Sequence, residues 1–168
     1  LDAPVCSNYQ HNDSFPGSHR LACGPLGYNG SKAAMELISK ADVVLALGTR
    51  LNPFSTLPGY GIDYWPKTAK LIQVDINPDR IGLTKPVTVG ICGDARLVAE
   101  QILAQLAPTA GNTDREERKA LIHKTKSAWL QQLSSMDHED DDPGTTWNAD
   151  SRKRDAGLMS PRQAWRAI

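Results

Sequence analysis

Gly48-Thr49-Arg50 follows the apolar run Val43-Val44-Leu45-Ala46-Leu47, and Asp75 follows a second run, Leu71-Ile72-Gln73-Val74. A glycine there lets the backbone approach a ligand. A threonine hydroxyl and free amides can bond a phosphate, and an arginine can bond it through two parallel hydrogen bonds. An aspartate at a strand end can accept a ribose hydroxyl. Each residue also has a purely structural reading, and both readings stand at this point. Gly48 permits a turn, Arg50 is a surface or interdomain charge, and Asp75 bonds backbone amides near Asn77.

Other groupings are weaker. The dinucleotide fingerprint GxGxxG is absent after every expected strand. Gly24-x-x-Gly27-x-x-Gly30 has glycine spacing but is expected to follow a loop, and the helix amino end at Ser31 could hold an anion. Cys6, His11, His19 and Cys23 fit no standard zinc spacing, so they read as scattered loop residues. His11 beside Asp13 has the parts of an acid–base pair, although a lone loop histidine is more often structural. Asp94 reads as a helix N-cap. The run Asp137-His138-Glu139-Asp140-Asp141-Asp142 lacks the glycine and closing glutamate of a calcium loop and reads as a solvated linker. No GxSxG elbow supports a hydrolase.

The elements that must position these residues alternate. Residues 1–5 read as the tail of a strand and 6–30 as loop, rich in turn formers. Ser31 caps a helix to about Lys40, with Ala33, Ala34, Leu37, Ile38 and Ala41 on one face. Strands follow at 43–47, 71–74 and 87–91, the first two joined by a long loop, 49–66, carrying Phe54, Tyr60, Tyr64 and Trp65. A helix over 95–106 repeats Val98, Ile102 and Leu106 every four residues. Short β-branched strands alternating with helices predict an α/β fold, a Rossmann-like parallel sheet with flanking helices. From Thr113-x-x-Glu116, a capping box, a polar helix runs to about Met136 with a thin stripe of Leu121, Ala128 or Trp129, and Leu133. The expected organisation is a central domain over 1–107, a linker with this polar helix over 108–157, and the start of another domain over 158–168.

Composition excludes some functions. Lys plus Arg and Asp plus Glu number 19 each, so no global field favours nucleic acid or an anionic membrane. No apolar run approaches the roughly 20 residues that span a bilayer. Three cysteines without a CxxC argue against a disulfide framework and for a reducing, cytoplasmic setting. The two ends read as a strand entered midway and a helix just begun at Ser160-Pro161, so the chain is expected to be a piece of a longer protein.

The order of motifs is recognisable. His19, Gly24-Pro25-Leu26-Gly27, Ala41 through Arg50, Ile72-Gln73-Val74-Asp75-Ile76-Asn77-Pro78 and Gly93-Asp94-Ala95 together resemble the central domain of thiamine-diphosphate-dependent enzymes. That family includes acetohydroxyacid synthase, pyruvate oxidase and oxalyl-CoA decarboxylase. The resemblance is closest to its acetyltransferase branch acting on sulfoacetaldehyde. It is carried by Tyr9 through His19, Gly24 through Lys32, and the long loop Thr49 through Pro66.

The resemblance implies a full-length enzyme that uses thiamine diphosphate and Mg2+ to convert sulfoacetaldehyde and phosphate to acetyl phosphate and sulfite, in taurine and sulfonate breakdown. Its partners would be small molecules and further copies of itself, with neither nucleic acid nor membrane. The family's catalytic Glu belongs to its N-terminal domain and its Gly-Asp-Gly magnesium motif to its C-terminal domain. No catalytic residue is therefore carried over to this chain, and the piece alone is expected to be inactive. In relatives the central domain binds FAD or ADP, and Gly48, Thr49, Arg50 and Asp75 match that site. The acetyltransferase reaction needs no flavin, so FAD is not expected; phosphate, a nucleotide or a vestigial site remain. The alternatives are an acetolactate synthase-like carboligase and a non-catalytic nucleotide-binding or scaffold domain.

Overall fold

The computed structural model describes residues 1–28, 30–106 and 113–139. Among these described residues five strands form two parallel ladders. β1 (Val5–Asn8) pairs with β2 (Ala22–Leu26), and β4 (Lys70–Asp75) lies between β3 (Val43–Leu47) and β5 (Val89–Cys92). Helices connect and flank them: α1 (Lys32–Ile38), the single turn α2 (Pro53–Thr56), and α3 (Ala95–Gln105). The expected α/β fold with parallel pairing is what forms.

α1 forms because Ser31 caps it, its hydroxyl accepting from the Ala34 amide at 3.3 Å, and because its apolar side chains line one face. That face joins the two ladders. Ala34 and Leu37 pack with Cys23, Cys6 and Leu26 below β1 and β2. Met35 and Ile38 pack with Tyr64 and with Val44 of β3. Ala41, expected on the same face, is only half-buried, while Met35 is fully buried. A third cluster, Ala46, Leu51 and Leu71 with Trp65 and Val87, continues the core under β3 and β4.

Two expectations are corrected. Residues 6–30 are not all loop, and the expected strand over 1–5 begins only at Val5. β1 is short and ends in Ser7 and Asn8, and β2 contains Gly24-Pro25, so neither carries the apolar periodicity of a strand. Pro25 is tolerated because β2, among the described residues, is an edge strand with one neighbour.

α4 (Thr113–Glu139) is the expected polar helix, but its buried residues are Ile122 and Thr125. Leu121 and Ala128 are exposed, and Trp129 and Leu133 only half-buried. The chain divides into two compact units, Leu1–Lys126 and Ser127–Ile168. Ile122 belongs to the first, packed with Cys23, Ala34 and Leu37. The described part of the second is the end of α4. The Thr113 side chain of the capping box, the acidic run 137–142, the linker to 157 and the helix start in 159–168 lie outside the described residues. Among the described residues no helix is long and apolar enough to cross a membrane.

Candidate functional site

β3, β4 and β5 run parallel, so their carboxyl ends share one edge. The register pairs Leu47 with Val74 and Asp75 with Cys92. The ladder extends one residue beyond the strands, with the Gly48 amide donating to Val74 O at 2.9 Å and the Gly93 amide to Asp75 O at 3.1 Å. Gly48, Asp75 and the Gly93-Asp94 turn therefore meet at the place where open parallel sheets bind ligands.

Gly48 turns the chain with φ +62°, and a Cβ built there would lie 3.3 Å from Ala95 Cβ. The turn is thus pressed against the first residue of α3, and glycine suits both the backbone angle and the space. The Thr49 hydroxyl accepts from the Leu51 amide at 3.2 Å, closing a small turn, while its own proton remains to donate. Arg50 is exposed.

A residue that sequence reasoning passed over organises this turn. Gln73 is 1% exposed in the middle of β4. Its amide nitrogen donates to Thr49 O at 3.0 Å and Arg80 O at 3.2 Å, and its oxygen accepts from the Gly82 amide at 2.9 Å. The loops after β3 and β4 are thereby stapled together through one side chain. The signal was present: a polar residue in an otherwise apolar strand buried on both faces has to find partners. Thr84 adds to the staple, its hydroxyl donating toward Arg50 O at 3.1 Å and Leu51 O at 2.9 Å.

Asp75 is buried, and its Oδ1 accepts from the Asn77 amide at 2.9 Å. This is the turn bond expected of the structural reading. Asp94 is the N-cap of α3, accepting from the Arg96 and Leu97 amides at 2.9 and 3.0 Å. A carboxylate already occupies that helix terminus, so an anion finds its charge site taken there. The edge offers hydrogen-bond acceptors at Asp75 and Asp94 and donors at Thr49 and Arg50. It is chemically better matched to hydroxyl groups, with one cation for a phosphate, than to a phosphate cradle. Among the described residues no group of three or more His, Cys, Asp and Glu side chains comes together.

Most of the remaining candidates have structural partners. The glycine series lies partly within β2, not after a loop, and it admits a close approach of the long loop: a Cβ on Gly27 would sit 2.5 Å from Phe54 O. Ser31 is buried and caps α1, a helix too short to carry an anion site. The Cys6 thiol points toward Ala34 O at 4.0 Å and Cys23 donates to Leu21 O at 3.2 Å. Burial pushes Cys6 up to about 12, with Cys23 adding to the shift, and raises Cys23 as well, so neither is a ready thiolate. His19 accepts from the Leu21 amide through Nδ1 at 3.2 Å and stacks edge-on with Phe15, whereas His11 is exposed. In the long loop the Tyr64 phenol donates to Ser55 O at 3.1 Å, and burial pushes it up to about 12. The Ser55 hydroxyl is buried with no partner.

Residues 1–102 match the family described as thiamine pyrophosphate enzyme, central domain. Over all 168 residues the chain is 82% identical to a probable sulfoacetaldehyde acetyltransferase of Rhizobium meliloti and 77% identical to a sulfoacetaldehyde acetyltransferase of Roseovarius nubinhibens. It spans 28% of the length of each. It is 35% identical, over 79% of its own length and 20% of the relative's, to a probable acetolactate synthase large subunit of Methanocaldococcus jannaschii. A parallel α/β core, a ligand-type edge at its strand ends and a match across that whole core lead to one conclusion: the chain belongs to the central-domain family of thiamine pyrophosphate enzymes.

Proposed function

We propose that this chain is the central portion of an acetyltransferase that converts sulfoacetaldehyde and phosphate to acetyl phosphate and sulfite, in sulfonate and taurine degradation. The observation that carries the reading is the identity to two proteins of that printed name. It runs the whole chain and is more than twice that to the acetolactate synthase relative. On this reading residues 1–107 are the central Rossmann-like domain, 108–157 a linker with a polar helix, and 158–168 the start of the pyrophosphate-binding domain. Thiamine diphosphate, held with Mg2+ by the rest of the enzyme, supplies the nucleophilic carbon and the electron sink. The enzyme is a cytoplasmic homo-oligomer acting on small molecules, without nucleic acid or membrane partners.

Within this chain no residue is catalytic. Gly48, Thr49, Arg50 and Asp75 form a nucleotide- or phosphate-binding edge. The support is their shared position at the strand ends and the donors and acceptors they leave, and FAD is not required. The test is an assay of the full-length gene product for sulfite release from sulfoacetaldehyde. Release that needs both thiamine diphosphate and phosphate is expected. Pyruvate consumption without sulfite release would transfer the protein to the carboligase branch.

A further inference from the structure

Two of the three cysteines, far apart in sequence, meet where the register of β1 and β2 shifts. Val5 lies opposite Ala22, but Cys6 lies opposite Gly24, so Cys23 is the extra residue of β2 at that step. Neighbouring strands run about 4.8 Å apart. That spacing falls within the roughly 4.4–6.8 Å between Cα atoms that a disulfide spans.

Both side chains also enter one apolar cluster. Cys23 is a buried member of it with Ala34, Leu37 and Ile122, and Cys6 packs against it. The Cys6 thiol points toward Ala34 O at 4.0 Å. The Cys23 thiol donates to Leu21 O at 3.2 Å and accepts from the backbone of Val5, the residue before Cys6. Ladder, cluster and bonding partners thus set the two sulfurs on the same side of the same step. Cys92 is different: it is exposed, lies on the other ladder, and its thiol points toward Ile76 O at 3.6 Å.

We propose that Cys6 and Cys23 form a redox-sensitive clasp, open as free thiols and closed as a disulfide when the enzyme meets a peroxide. One sulfur attacks the peroxide O–O bond, becomes a sulfenic acid and releases water. The other sulfur displaces the sulfenic oxygen, which leaves as a second water. In sum, two thiols are oxidised to one disulfide while hydrogen peroxide is reduced to two waters. The new bond ties β1 to β2 and closes the 6–23 loop, ahead of the Gly24–Gly27 turn. Burial holds both thiols protonated, so closure is slow and answers sustained oxidation rather than a brief pulse. The inference is independent of the reaction proposed for the enzyme.

The test uses the unsubstituted full-length protein, so no variant has to fold. Reduced protein is freed of reductant and exposed to hydrogen peroxide for graded times. Remaining thiols are capped with N-ethylmaleimide in denaturant, and tryptic peptides are read without reduction. Cleavage after Arg20 separates the two cysteines, so the clasp shows as a peptide ending at Arg20 joined to residues 21–32. The joined peptide is expected to become the main form of both cysteines, to revert with dithiothreitol, and to form roughly tenfold more slowly than Cys92 is oxidised. The thermal midpoint is expected to rise by several degrees on closure and to fall back on reduction.

The proposal is overturned if Cys6 and Cys23 stay thiols long after Cys92 is fully oxidised. Sulfinic or sulfonic acid at either position without the joined peptide, or either cysteine joined to a different partner, overturns it too. A joined peptide with an unchanged or lowered midpoint would show a bond forced against the fold, not a clasp built into it.

Discussion

Gln73 satisfies three backbone groups from inside β4, and its replacement takes away all three of these part-buried bonds. Gln73→Leu is therefore expected to cost roughly 2–3 kcal/mol in urea unfolding, and a loss under about 0.5 kcal/mol would show that the staple is not needed. Ser55 is the opposite case. Its hydroxyl is buried without a partner, so Ser55→Ala should be neutral or stabilising by about 1 kcal/mol, and a clear destabilisation would reveal a bond the structure does not contain. The Tyr64 phenol rises from 10.0 to about 12 through burial, so its neutral form is favoured by folding. That contribution is complete below pH 10 and is lost as pH climbs through about 12. In paired urea titrations Tyr64→Phe should flatten part of the fall in stability across this window, and parallel curves for the two proteins would contradict the assignment.

At the scale of elements, α3 depends on its cap. Asp94→Ala should lower stability by about 1 kcal/mol while Asp94→Asn stays near the parent, as read by thermal unfolding. Equal loss in both variants would mean that the charge, not the cap bond, matters. The elements legible beforehand were those with strong local signals: β3 and β4 as β-branched runs, α1 and α3 behind Ser31 and Asp94. β1 and β2 were not legible, because Cys6-Ser7-Asn8 and Gly24-Pro25 are ordered by pairing with each other and by α1 packed against them. The same holds for α4, where Ile122 is chosen by the Cys23–Leu37 cluster and the sequence offers Leu121 equally well. At the candidate site, Gly48 and Asp75 were visible as strand ends, but Gln73 acquires its role only when two distant loops arrive beside it.

For the whole molecule, the balance of charges leaves packing to decide association. Val43, Leu45 and Leu47 share one face of β3 and are 37–48% exposed, and among the described residues β3 is hydrogen-bonded to a strand on one side only. An apolar face beside an open edge favours self-association. The separate 168-residue chain is expected to sediment above monomer mass, with Leu45→Lys reducing the effect; a monodisperse monomer would contradict this. The central claim concerns the longer enzyme, and it is tested most directly by following the acyl group. Full-length protein is incubated with sulfoacetaldehyde, pyruvate, phosphate, thiamine diphosphate and Mg2+, and the products are read by phosphorus and carbon NMR. Acetyl phosphate formed together with sulfite is the result this account predicts. Acetolactate formed from pyruvate, with sulfoacetaldehyde untouched, would contradict it.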